Sequence, residues 1–196
     1  MEPGAGDGRL RVVAGLGNPG PRYDATRHNV GWWMADRLAH DWGLGGFRKE
    51  GAAQVARGQV AGGPIVVLKP LTYMNRSGGA LLPFLGEEGF VVPEQLLVLV
   101  DDISLSAGRA RFRPSGSAGG HNGLKSVEAV LGHREYPRLR IGVGTVPPGV
   151  SLVDWVLSPM EAEDEDRVLE RLPELVEGVE LWITDGIEAA MNRHNG

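Results

Sequence analysis

The chain has 196 residues, of which 42% are hydrophobic and 23% charged, with a net charge of −5 and no cysteine. These numbers describe one globular domain and exclude disulfides, thiolate nucleophiles and cysteine-bound zinc. No apolar run reaches membrane-spanning length and residues 1–10 are too polar for a signal peptide, so a cytoplasmic protein without a membrane segment is expected.

The predicted elements alternate along the chain. Short apolar or alternating runs bounded by Gly, Pro or Asp predict strands at residues 10–14, 54–60, 65–68, 96–100 and 139–143, and the period-two run RARFR predicts a more exposed strand at 109–113. Helical spacing places one helix over 28–42, another over 77–85 despite Pro83, and a third through Leu124, Val127 and Leu131, closed by Gly132. Ser158, Pro159 and Glu161 carry a capping pattern that should open an acidic helix, and a last helix is expected over about 174–191. The alternation predicts an α/β fold: a three-layer sandwich with a mixed, largely parallel central sheet flanked by helices. Residues 10–196 form its single domain, and residues 1–9 are expected to be a disordered N-terminal extension.

Gly15-x-Gly17-x-x-Gly20 invites a dinucleotide-binding reading, but the pattern fails in context. Pro19 and Pro21 interrupt the turn, the helical period starts only near Arg27, and the strands that follow, 54–60 and 65–68, end without an acid for a ribose. The loop reads better as a rigid turn that presents Asn18 and leads into a helix with His28 in its first turn, where the helix dipole favours the neutral imidazole that a base requires. Other polar residues fall after strands: Asn75 behind 65–68, Asp101 and Asp102 behind 96–100, and His121 with Asn122 behind a glycine-rich loop. In α/β sheets, sites collect at the carboxyl ends of strands. A histidine oriented by an aspartate, with Asn amides nearby and no suitably placed serine, would activate water toward a carbonyl. From the residues alone the reading stops at a hydrolase.

The charge map is uneven. Residues 161–180 hold nine acids against two Arg, whereas 109–140 hold seven Lys or Arg against two Glu. An acidic tail can conceal a basic face that binds nucleic acid. His40, His133 and His194 are expected at the surface, Trp33 in the core with Trp32 partly exposed, Trp155 and Trp182 as packing for the tail helices, and Lys69 as a solvated strand-end lysine.

Three segments, GLGNPGPRYDATRHNVG, KPLTYMNRSG and GSAGGHNGLKS with YPRLRIGVG, resemble the bacterial peptidyl-tRNA hydrolase family in order and spacing over residues 12–157. The resemblance implies cleavage of the ester between a peptide and the 3′ ribose of tRNA. His28 would be the base that activates water and Asp101 its partner, and Asn18 and Asn75 would hold the peptide end and the reacting carbonyl. Tyr23 and Met74 would line the peptide cleft, His121 would sit near the tRNA 3′ end, and Asn122 would position substrate or water. Arg111, Arg113, Lys125, Arg138 and Arg140 would face the acceptor stem, with Arg113 and Arg140 clamping the 5′ phosphate. The resemblance implies no metal or organic cofactor, and a monomer is expected. The chain departs from the family in the loop after Asp102, where ISLS replaces a common Asp-Leu-Asp-Leu-Pro. The rival reading is a non-catalytic RNA-binding protein on the same scaffold.

Overall fold

The computed structural model describes residues 8–195. Seven strands form one sheet: β1 (Arg11–Gly15), β2 (Arg48–Glu50), β3 (Ala53–Val60), β4 (Gly63–Pro70), β5 (Leu96–Asp102), β6 (Ala110–Arg113) and β7 (Arg138–Gly142), in the order β2-β3-β4-β1-β5-β7-β6. The pairs β4–β1, β1–β5 and β5–β7 are parallel, while β2, β3 and β6 join antiparallel at the edges. The three-layer α/β sandwich follows from the strand pattern. Central strands are apolar on both faces because helices cover both. Along β5, Leu97 and Leu99 enter one core while Leu96, Val98 and Val100 enter the other.

The first core lies under α1 (Val30–Asp41), α6 (Ala162–Asp185) and α7 (Ile187–His194). The second lies under a 3-10 helix (Met74–Leu81), α2 (Leu82–Leu85) and α4 (Asn122–Leu131), whose C-terminus turns at Gly132 with φ 77° as its position predicts. Two short helices, α3 (Val92–Gln95) and α5 (Leu152–Val156), complete the chain.

Several expectations are corrected. The acidic helix and the last helix are not split at 174: α6 runs through Pro173. An internal proline costs about 3 kcal/mol, but Val168, Leu172, Leu175, Val176 and Val179 are buried on either side of it, and each contributes roughly 1.5–3 kcal/mol. Burial wins, and the break falls instead at Gly186, where φ is 88°. Ser158 does not cap this helix, which starts behind Glu161; its hydroxyl is engaged by Arg27. Trp32 rather than Trp33 is the buried indole, and Trp33 is half-buried with its Nε1 donating to Asp24 O. Lys69 is buried against the Trp32 and Phe47 rings and donates to Asp36 at 2.5 Å. His194 is buried beside Phe112, where α7 docks on β6, and the next residue, Asn195, exchanges two hydrogen bonds with the Phe112 backbone. Most of the expected disordered stretch lies outside the described residues; within them, Arg9 pairs with Glu94 at 2.6 Å.

Candidate active site

The glycine triplet serves packing. A Cβ on Gly15 would sit 2.3 Å from Gly31 O, and one on Gly31 would sit 2.5 Å from Leu16 O, so both must be glycine for α1 to lie across the end of β1. Gly17 gives its side-chain space to the Trp32 indole, and Gly20 takes φ 111° to turn the chain. This close approach delivers a 3-10 turn, Arg27–Asn29, to the carboxyl end of β5. His28 therefore sits in the turn just before α1 rather than in the first α-helical turn.

At the end of β5, Asp101 Oδ1 lies 2.8 Å from His28 Nδ1 and 2.8 Å from His121 Nε2. Burial raises the Asp101 pKa, but the charges and hydrogen bonds of His121 and His28 outweigh it and hold the carboxyl well below the usual range. His121 is also the N-cap of α4, its Nδ1 accepting from Gly123 N and Leu124 N. An acceptor at Nδ1 places the proton on Nε2, which donates to Asp101. A metal bound between His28, Asp101 and His121 would need a lone pair at His121 Nε2, which requires moving that proton to Nδ1 against two N–H donors. These three groups form a hydrogen-bonded cluster and fit a metal ion poorly. His28, with Nδ1–H donated to Asp101, keeps Nε2 as its acceptor.

Asn18 is buried, and its backbone is held by the Asn29 side chain through N–H to Oδ1 at 2.9 Å and Nδ2 to O at 3.0 Å. Its own Oδ1 accepts from Met74 N at 2.8 Å, which orients the amide so that Nδ2 is left to donate. A cleft of about 240 Å³ is lined by Asn18, Tyr23, His28, Met74, Asn75 and Asn122. Tyr23 and Tyr73 meet edge to face at one side of it, with ring centroids 6.4 Å apart. Val153 and Val156 of α5 roof it and also line a smaller adjoining cavity with Asp101, His121 and Arg140. The residues singled out in the sequence thus converge, although they come from four separate segments.

The arginines divide. On β6 and β7, Phe112 and Leu139 face the first core, so Arg111, Arg113, Arg138 and Arg140 share the other face. Arg111 is exposed, Arg113 and Arg140 are half-buried, and Lys125 is exposed on α4. Arg138, expected on the RNA surface, is only 1% exposed. Its guanidinium stacks 4.0 Å from the Tyr136 ring centroid and donates to Arg134 O. Burial pushes the Tyr136 phenol up to about 12, so Arg138 rests on a neutral ring. Arg140 Nε pairs with Asp102 at 3.0 Å, and the other Asp102 oxygen accepts from Ser104 N and Oγ, which folds the divergent ISLS loop back on its strand.

Sequence reasoning missed Arg27, Asn29 and the α5 roof. Asn29 was legible only as the residue beside His28, since nothing in the pattern shows an amide gripping a backbone eleven residues away.

Known proteins are similar to this chain in sequence and in fold. The family model described as peptidyl-tRNA hydrolase matches residues 12–196. A peptidyl-tRNA hydrolase of Symbiobacterium thermophilum is 48% identical over 189 residues, covering 94% of this chain and 98% of its own. One from Gemmatimonas aurantiaca is 43% identical over 186 residues, covering 93% and 98%. The crystal structure of peptidyl-tRNA hydrolase from Acinetobacter baumannii superposes with a TM-score of 0.88 at 30% identity, covering 95% of both chains. With the match running across nearly the whole length in sequence and in fold, this chain belongs to the peptidyl-tRNA hydrolase family.

Proposed function

We propose that the chain is a carboxylic ester hydrolase that releases the peptide from peptidyl-tRNA by water attack with His28 as general base. The Nδ1–H of His28 donates to Asp101, so Nε2 accepts a proton from water as the water oxygen bonds to the ester carbonyl carbon. Asp101, still ionised, favours the imidazolium that forms. The free Nδ2 of Asn18 donates to the carbonyl oxygen as negative charge gathers there, and the Asn75 and Asn122 amides hold the peptide backbone along the cleft. The bond from carbon to the ribose 3′ oxygen then breaks, the imidazolium returns its proton to that oxygen, and a peptide acid and free tRNA leave.

Arg111, Arg113, Lys125 and Arg140 supply phosphate contacts, which give affinity without reading sequence. Arginine suits phosphate because its planar fork donates two parallel bonds. The reading carries with it a cytoplasmic enzyme of translation acting as a monomer. Among the described residues no helix is long and apolar enough to cross a membrane.

The observation that carries this proposal is the contact of His28 with Asp101 at the head of an amide-lined cleft. Its test is incubation with an N-acetylated aminoacyl-tRNA and an unblocked one. Selective release from the first supports the reading. RNA binding without release from either substrate identifies a non-catalytic binder instead.

A further inference from the structure

Arg27 immediately precedes the base and is 2% exposed. Its guanidinium lies 3.5 Å from the Trp155 ring centroid, and Nη1 donates to Ser158 Oγ and to Pro159 O, each at 2.6 Å. The backbones are joined as well: Arg27 N–H donates to Ser158 O at 3.1 Å, and Thr26 bridges to Pro159. Among the described residues no carboxylate lies within ion-pair distance of this cation; Glu161 and Asp164 at the start of α6 act on it from farther away.

Every one of these contacts reaches the segment that ends α5. The same helix places Val153 and Val156 over both the peptide cleft and the cavity beside Asp101. A residue that only filled space here would be apolar. A guanidinium lays its flat face on the indole while Nη1 at its edge donates to the acceptors beyond; lysine keeps a donor cation but not the flat face.

We infer that Arg27 is a positioning residue that makes the base-bearing turn and the roof of the cleft one rigid unit, so that the seat of His28 against Asp101 depends on Trp155, Ser158 and Pro159. The inference rests on His28 being the base. It also predicts a structural signature that does not depend on turnover. In the wild type, two low-field imidazole proton signals should report His28 Nδ1–H and His121 Nε2–H, both bonded to Asp101.

Arg27→Met, checked for folding by circular dichroism, should lose or broaden the His28 signal and keep that of His121. Its kcat should fall at least tenfold, with the Kd for deacylated tRNA within twofold of wild type. Arg27→Lys should recover part of the loss, and Trp155→Phe, which preserves an aromatic face, should stay within about threefold. A folded Arg27→Met protein with both signals and wild-type kcat overturns the inference. If that variant does not fold, Trp155→Leu decides: a weakened His28 signal beside an intact His121 signal supports the coupling, and two intact signals with full turnover overturn it. Should the wild type itself release no peptide, the assignment of the base fails, while the two proton signals still report whether Arg27 seats His28.

Discussion

The imidazoles of His28 and His121 meet at a single carboxylate oxygen, with ring centroids 4.8 Å apart and both donating nitrogens 2.8 Å from Asp101 Oδ1. The two rings are not equivalent. His121 has both nitrogens engaged, one by Asp101 and one by the first amides of α4. His28 has one nitrogen engaged and lines the cleft. This asymmetry supports His28 as the proposed base, with His121 holding Asp101.

His28→Ala should therefore lower kcat by about 10² to 10⁴, the usual contribution of a positioned base. Folding and tRNA affinity should be retained, because the Arg surface on β6 and β7 does not involve His28. Single-turnover release and a filter-binding Kd check the two halves of this statement. Wild-type turnover would remove His28 from the chemistry.

Asp101→Asn should cost nearly as much as His28→Ala. An amide oxygen accepts from two imidazoles less strongly than the carboxylate oxygen it replaces, and a neutral amide gives no charge to favour the imidazolium. Asp101 has a pKa held below its unfolded value, so its contribution to stability is present above an unfolded pKa of about 3.9 and is lost as pH falls through the folded one. Urea unfolding of the wild type should therefore lose this stability only in strong acid, where Asp101 takes up its proton. Asp101→Asn should flatten that strongly acidic part of the stability curve.

Which of these features could be read from sequence depended on whether the cause was local. Strand alternation, the Gly132 turn and the places of Asn18, Asn75 and Asp101 after strands are local patterns, and they carried the α/β reading; the cleft entered only with the family resemblance. The fates of the arginines are tertiary. Arg138 and Arg140 are two residues apart on one face of β7, yet Tyr136 and the Arg134 carbonyl close over only the first. The same holds for Lys69, whose partner Asp36 lies on α1, and for Trp32, whose burial depends on Gly17 having no side chain. The His28–Asp101–His121 cluster joins three segments, and spacing alone carried no sign that one oxygen would serve two rings.

Arg113→Ala and Arg138→Ala separate the surface arginine from the buried one. Arg113→Ala should weaken binding to all tRNAs alike and reduce the slope of log K against log salt by about 1, as loss of one phosphate contact does. Arg138→Ala should leave that slope unchanged and instead destabilise the fold by about 1.5–3 kcal/mol, through loss of its charged hydrogen bonds beneath Tyr136. Affinity measured across a salt series, together with urea melts of both variants, distinguishes them. The opposite pattern would place Arg138 at the interface and Arg113 outside it.

Gly31→Ala tests the glycine contacts that bring α1 to β1. Its φ is that of an ordinary helical residue, so backbone strain is not the issue; the new methyl would lie 2.5 Å from Leu16 O and 2.6 Å from Leu99 O. Neither carbonyl is a flexible side-chain end, so α1 must move away from the strands, and the 27–29 turn moves with it. Overpacking of this kind costs typically 1–3 kcal/mol. Activity should fall further than that loss of stability would suggest, because the shift separates His28 from Asp101. Gly20→Ala provides the contrast: its φ of 111° is strained for alanine, but the added methyl meets no neighbour, so nothing pushes α1 off the strands. It should lose stability while keeping most of its kcat. A Gly31→Ala protein with full kcat at temperatures where it is folded would show that α1 can withdraw without carrying His28 away from Asp101.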